Sequence, residues 1–247
     1  MQNLQPVPSP LADVRYPFST TLVAGRFLRR YQRFLADIEL EDGRVVTAHC
    51  PNSGSMLGCL EPRAPVYCSP QPAEGRRTAL TWEMILANGG WVGINTLIPN
   101  LLVHQAATSQ ALPLFHGTSK VRREVRIGPH TRLDLLVERE SGLLYVEVKN
   151  VTLVDHGIAR FPDAPTMRGV KHLQQLIALS GEGQATAMVY VVQRQDACAF
   201  APADDIDPKY AEYYRHARKA GVQIVVLEAQ VTPSQIALAR VLPVADS

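Results

Sequence analysis

The segment LLYVEVKNVTL, residues 143–153, has the composition of a buried strand yet carries a glutamate and a lysine in its middle. Side chains alternate faces along a strand, so Tyr145, Glu147, Lys149 and Val151 share one side and Leu144, Val146 and Val148 the other. Charges set into an apolar run mark either a solvated outer face or a place where buried charge serves chemistry. The segments around it decide between the two.

RLDLLVER, residues 132–139, reads as a preceding strand, joined to the first through Arg139–Gly142. In that hairpin register Glu138 faces Leu143 and Asp134 faces Glu147, which puts two carboxylate-bearing residues opposite each other with Cβ atoms roughly 4.5–5.5 Å apart. Like charges so placed repel, and a divalent cation between them, with Lys149 alongside, offsets the repulsion. The bland alternative is a polar outer face, which antiparallel strands commonly have. Helical patterns on both sides of the strand group argue for a covered sheet, under which charges need a reason.

The wider chain divides in two. Residues 1–20 hold four prolines before position 18 among small and polar residues, the mark of a loosely ordered lead-in. Residues 21–95 carry β signals: a long strand-like LVAGRFLRRYQRFLADIEL, an Asp42-Gly43 hairpin turn, VVTAHC, APVYCS and WVGIN, which suit a small barrel or sandwich. Residues 96–247 read as helix, three strands, helix, strand, helix, strand, an α/β arrangement of a mixed sheet flanked by helices. Pro99 marks the first helix start and Gly181 a helix stop. A formal net charge of +2 excludes any argument for nucleic-acid binding from global charge, so a basic footprint must be local. Cys50, Cys59, Cys68 and Cys198 form no C-x-x-C pair and His49 lacks a partner at ligand spacing, so zinc is not expected. The N-terminus lacks a signal-peptide pattern and no apolar run spans a bilayer, so the expectation is a cytoplasmic protein without membrane contact.

Asp134 followed by Glu147-x-Lys149 on adjoining strands resembles the PD-(D/E)xK nuclease signature, with Leu133 where that pattern has proline. HCPNSGSMLGC (49–59), GINTLIPN, YVEVKNVTL and FPDAPTMRGVKHLQQL together resemble the sugar fermentation stimulation protein A family over nearly the whole chain after residue 20. The resemblance implies an N-terminal OB-like barrel that binds DNA non-specifically, a restriction-endonuclease-like second domain, and a regulatory role in maltose metabolism. It implies further that Asp134, Glu147 and the carbonyl of Val148 hold Mg²⁺ or Mn²⁺ and that Lys149 positions or deprotonates the attacking water. A DNA-binding regulator that keeps the nuclease fold without catalysis is the alternative, and a homodimer is left open. Glycoside hydrolysis, which paired carboxylates also run, fits Lys149 less well.

Further candidates surround this core. Glu124, between Arg122 and Arg126 in VRREVRI, either completes the acidic site or forms a surface ion pair. Arg168, His172 and Gln175 fall on one helical stripe with Lys171 adjacent, either a solvated face or a set of phosphate contacts. In RFLRRYQRFL, an unbroken strand puts Arg29, Tyr31 and Arg33 on one face and Arg30, Gln32 and Phe34 on the other, either a basic aromatic pattern suited to holding nucleic acid or core Tyr31 and Phe34 with arginines that keep the barrel soluble. Arg76 and Arg77 extend it. The loop PNSGSMLG lacks the G-K-[ST] of a P-loop and reads as a tight turn between barrel strands.

Overall fold

The computed structural model describes residues 10–72, 77–128 and 131–245. Its first unit is built from β2 (Val23–Tyr31), β3 (Leu35–Leu40), β4 (Val45–His49), β5 (Pro65–Pro70), β6 (Leu80–Ala87) and β7 (Gly90–Gly93). The hydrogen-bonded order is β4-β3-β2-β5-β6-β7, and β4 also pairs in parallel with β6. That second pairing closes five strands into the expected OB-like barrel, around Phe27, Ile38, Trp82, Ile85 and Ile94. The β3–β4 hairpin turns at Asp42-Gly43, where Gly43 takes φ 81°. The single long strand expected over residues 22–40 is instead two. The chain reverses at Gln32 and Arg33, both at positive φ (49° and 62°), so β2 and β3 pair back on each other. Strand β6, in LTWEMILA, was not among the expected segments.

The second unit comprises α1 (Ile98–Thr108), β8 (Thr118–Arg126), β9 (Arg132–Arg139), β10 (Gly142–Val151), β11 (Leu153–Asp155), β12 (Ile158–Phe161), α2 (Met167–Gly181), β13 (Ala185–Val192), β14 (Ala199–Pro202), α3 (Pro208–Lys219), β15 (Gln223–Val231) and β16 (Gln235–Val241). Its main sheet runs β1-β16-β15-β13-β10-β9-β8, where β1 is Arg15–Pro17. The central strands β10, β13 and β15 are mutually parallel, and the pairs toward both edges are antiparallel. Such a centre is buried on both faces, which explains the nearly continuous apolar run ATAMVYVV in β13. On one face Leu144, Val146 and Val148 pack with Ile98, Leu102 and Val103 of α1. On the other, Tyr145 and Val151 pack with Val170, Leu173 and Leu176 of α2 and Tyr210 and Tyr214 of α3. A small sheet, β11-β12-β14, lies apart, and its strands β12 and β14 with β16 add to the helix–strand alternation read from sequence. The lead-in is partly woven into this unit. Residues 1–9 lie outside the described residues, but Leu11 and Val14 are core and Arg15–Pro17 pair with β16.

Helix α2 begins at Thr166, whose hydroxyl accepts the N–H of Gly169 (3.0 Å), and α3 begins at Asp207, which accepts that of Tyr210 (3.0 Å). Asp207 also accepts the Thr166 N–H (2.8 Å), so one carboxylate ties both helix starts together. A Cβ at Gly169 would stand 2.7 Å from Thr166 Cγ2 and 2.9 Å from Tyr210 Cε2, so glycine is what lets α3 approach the first turn of α2.

The barrel is bonded to this unit along the loop after β4. Asp163 Oδ2 accepts the Met56 N–H (2.8 Å), its carbonyl accepts Ser55 Oγ (2.6 Å), and Thr96 Oγ1 donates to the Pro51 carbonyl (2.8 Å). PNSGSMLG is thus a docking loop as well as a connection between barrel strands. Asp163→Ala leaves a part-buried N–H unpaired and is expected to cost about 1–3 kcal/mol. Urea unfolding should show a lower midpoint; an unchanged midpoint would show that this junction contributes nothing to folding.

Candidate active site

Two strands and one helix bring the site together. The β9–β10 ladder runs from Gly142↔Arg139 through Leu143↔Glu138 to Val146↔Leu135 and ends there. Asp134 and Glu147 are the next residues on each strand, as the sequence register requires. Where the ladder stops, the Val148 N–H donates to Asp134 Oδ2 (2.8 Å) in place of a backbone partner. The N–H and C=O of one strand residue point to the same edge, so the Val148 carbonyl also faces the side where Asp134 lies. Asn100, on the first turn of α1, donates to the other Asp134 oxygen (3.0 Å).

Glu147 projects toward α2 with its side chain 2% exposed. Its Oε1 accepts Lys149 Nζ (2.5 Å) and the Nδ1 of His172, which is itself buried. The 3.1 Å separation of Lys149 Nζ and His172 Nδ1 follows from two donors sharing one oxygen, so His172 is assigned the tautomer with Nδ1 protonated. Glu147 Oε2 is buried with no hydrogen-bond partner among the described residues. Burial alone would raise the Glu147 pKa, but the Lys149 charge and the His172 hydrogen bond outweigh it and hold the group below its usual value. Asp134 goes the other way. Burial first and repulsion from Glu147 second push it up to about 6. Two carboxyls whose pKa values are pushed apart in this way mark a candidate acidic site.

A cleft of about 600 Å³ opens over the site, with Lys149 and Arg168 on one side, Asn52–Ser55 and Arg33 on the barrel side, and Asn100 from α1. Lys149, with its side chain 13% exposed, connects the buried carboxylate to this space.

The other expected positions divide. Glu124 does not reach the site: its carboxylate is 64% exposed and accepts Arg132 Nη1 (2.7 Å), a surface ion pair on β8. His172, expected on a phosphate-contacting stripe, is buried against Glu147, because α2 turns that position onto the sheet. Arg168 and Lys171 are exposed, the former at the cleft. Arg29 pairs with Asp37 (2.8 Å) and lies over the Tyr31 ring (5.2 Å), while Tyr31 Oη donates to Asp37 (3.1 Å), so this trio satisfies itself. Arg30 donates to the carbonyls of Arg33 (2.8 Å) and Asn52 (2.7 Å), which makes it a clamp on the hairpin as well as a cleft residue. Arg33 and Phe34 stand at the hairpin tip, off the strand faces on which an unbroken strand would put them. Arg77 is exposed, and Arg76 lies outside the described residues. Asn100 and Asp163 lie in GINTLIPN and FPDAPTMRGVKHLQQL, two of the stretches that carry the family resemblance, but neither stands out there as a site residue: one is an asparagine in an ordinary helix start, the other an aspartate in a proline-rich turn. The cysteines are free. Burial pushes the Cys59 thiol up to about 11, consistent with structural roles. Among the described residues no helix is long and apolar enough to cross a membrane.

Two family descriptions match the chain: the SfsA N-terminal OB domain over residues 28–94 and the sugar fermentation stimulation protein RE domain over 97–235. Sugar fermentation stimulation protein homologs from Geobacter sulfurreducens and Citrifermentans bemidjiense are 50% and 48% identical to it, each alignment covering 90% of this chain and 96% of the relative. The solved structure of Pyrococcus furiosus SfsA in complex with Ca²⁺ superposes with a TM-score of 0.86 at 28% identity, over 94% of this chain and 98% of that one. With an OB barrel and a nuclease-like unit in that order, the chain belongs to the sugar fermentation stimulation protein family.

Proposed function

We propose that the protein is a divalent-metal-dependent phosphodiesterase acting on DNA. The observation that carries the reading is the buried, unpartnered Glu147 Oε2 next to an Asp134 carboxyl pushed up to about 6, with Lys149 between them and the cleft. The donor set suits a hard cation: Asp134, Glu147 Oε2 and the Val148 carbonyl are all oxygen, and Mg²⁺ is commonly held by one or two carboxylates with several waters retained. Among the described residues no group of three or more His, Cys, Asp and Glu is placed to hold a metal ion, so the candidate donors are two carboxylates and a backbone carbonyl and not a structural zinc set. Complex formation of the Pyrococcus relative with Ca²⁺, another oxygen-seeking ion, supports it. When bound, Mg²⁺ or Mn²⁺ supplies Lewis-acid polarisation and an acidified water.

The chain's own groups do the rest. Glu147 is held in one orientation because His172 and Lys149 both bind its Oε1, leaving Oε2 free. Asn100 and the Val148 N–H fix the two oxygens of Asp134. Lys149 carries a positive charge to the cleft floor, where it orients the attacking water and meets the charge that develops on the phosphoryl oxygens. Arg168, on the first turn of α2, offers a phosphate contact at the rim.

The test is incubation of single-stranded and duplex DNA with millimolar Mg²⁺ or Mn²⁺ and with EDTA, using wild type and Glu147→Gln. Wild type should cut only with metal, and Glu147→Gln should lower the rate roughly a thousandfold, the equivalent of several kcal/mol of lost transition-state stabilisation. Absence of metal-dependent products from wild type would overturn hydrolysis and leave a DNA-binding regulator on a nuclease fold.

A further inference from the structure

The barrel hairpin and the cleft together specify more about the substrate than its phosphates. The tip of the β2–β3 hairpin is held in an unfavourable conformation: Gln32 and Arg33 both take positive φ, which non-glycine residues rarely adopt. Arg30 stabilises it by binding the Arg33 carbonyl through Nε (3.1 Å) and Nη2 (2.8 Å). What this strained turn achieves is outward presentation of Arg33 and Phe34. Phe34 is 51% exposed, an unusual position for a phenylalanine in a barrel that has a well-filled interior. It lines a depression of about 400 Å³ with His49 and Arg77, on the β5–β6 loop. The first hairpin and this loop are the two connections by which OB barrels take up oligonucleotides. On the other side of the same tip, Arg33 faces the cleft that holds Lys149.

Two exposed apolar residues are chain neighbours of cleft residues. Leu97 is 66% exposed beside the cleft residue Thr96, and Met167 is 60% exposed between the cleft residues Thr166 and Arg168. Cations alone would serve a duplex, whose outer surface is phosphate and sugar. Exposed apolar groups alternating with arginines suit a strand whose bases are uncovered, because every base has a face to stack. The depth of the site points the same way. Glu147 is 2% exposed and Lys149 13%, so the scissile bond must descend into the cleft. Duplex DNA, stiff over about 150 bp, reaches a recessed group only by costly deformation, whereas a single strand bends into it freely.

We propose that the substrate is engaged as a single polynucleotide strand, its bases stacked on Phe34 and laid against Leu97 and Met167, its backbone carried by Arg77, Arg33 and Arg168 toward Lys149. This deepens the hydrolytic reading and rests on it for the direction of travel, but the binding it asserts is separately measurable. The experiment is fluorescence anisotropy with the whole chain in EDTA, where nothing is cut, comparing a labelled oligothymidine strand with a hairpin duplex of equal length. The strand is expected to bind about tenfold more tightly than the duplex, and Phe34→Ala to weaken the strand about tenfold while leaving the duplex nearly unchanged. Phe34→Trp should restore strand binding, and because residue 34 is exposed neither change threatens the fold. Equal affinities for strand and duplex, or wild-type strand binding by Phe34→Ala, would overturn the proposal. Strand preference through Phe34 in a protein that never cuts would sink hydrolysis alone. Cutting of duplex and strand alike, indifferent to Phe34, would sink this inference alone.

Discussion

Asp134→Asn should make the protein more stable without metal and less stable with it. Asp134 is raised from an ordinary 3.8 to about 6, by burial first and by Glu147 second. A carboxyl whose folded pKa lies above its unfolded one binds its proton more tightly in the native state. Ionising it therefore costs folding free energy, nothing below about pH 4, increasingly between about pH 4 and 6, and fully above about pH 6. Two pKa units correspond to about 3 kcal/mol, and partial solvent access to the group reduces this to the order of 1–3 kcal/mol. Asparagine removes the charge while keeping the shape. Its oxygen can accept the Val148 N–H, and its amide can donate to Asn100 if that side chain turns its own oxygen inward. In EDTA at about pH 7.5 the variant should melt a few degrees above wild type, and the gap should close as pH falls toward 4.

Divalent metal reverses the order. Saturation at a hundred times Kd stabilises wild type by about 2.7 kcal/mol, and a site short of one carboxylate loses most of that. Thermal melts of both proteins in EDTA and in millimolar Mg²⁺, Mn²⁺ and Ca²⁺ should cross. A variant that melts below wild type under all conditions would mean that Asp134 is a structural hydrogen-bond acceptor and that the site has no appetite for cations.

The legible parts of this site were those that depend on short-range periodicity. Strand alternation put Glu147 and Lys149 on one face, and counting through the ESG turn put Asp134 opposite Glu147; both rest on a period of two and on a single hairpin. The Asp42-Gly43 turn and the helix beginning near Pro99 were legible for the same local reason. What failed depended on distant partners. His172 is polar and sits among Arg168, Lys171 and Gln175, so its own helix suggests a wet stripe; it is buried only because α2 packs over the sheet and brings its ring onto Glu147. Glu124 looked like a site residue from its acidity, but Arg132, its partner across the β8–β9 pair, draws it to the surface. The break at Gln32–Arg33 was illegible because neither residue is a usual turn former, and the conformation is supported by Arg30 and a docking loop rather than by local propensity. Strand β16 and the pairing of Arg15–Pro17 with it join opposite ends of the chain, which no window of sequence can see.

Lys149→Met should separate the two roles of the lysine by moving turnover and metal affinity in opposite senses. The ammonium binds Glu147 Oε1 at 2.5 Å, with both side chains largely buried, so it competes electrostatically with any cation that Oε2 and Asp134 would hold. Removing it takes one positive charge from the site. Glu147 keeps its hydrogen bond from His172, which favours its ionised form. Calorimetry with Mn²⁺ should then give binding at least as tight as in wild type. Hydrolysis should nonetheless fall by about 10²–10⁴, because the group that orients water and answers the developing phosphoryl charge is gone. Methionine fills a similar volume and limits repacking, so a loss of this size with metal retained cannot be ascribed to collapse. If metal binding and turnover vanish together, Lys149 serves only to hold Glu147 in place. If both persist, the chemistry at this cleft does not pass through the lysine, and the nuclease-like geometry is a relic used for binding.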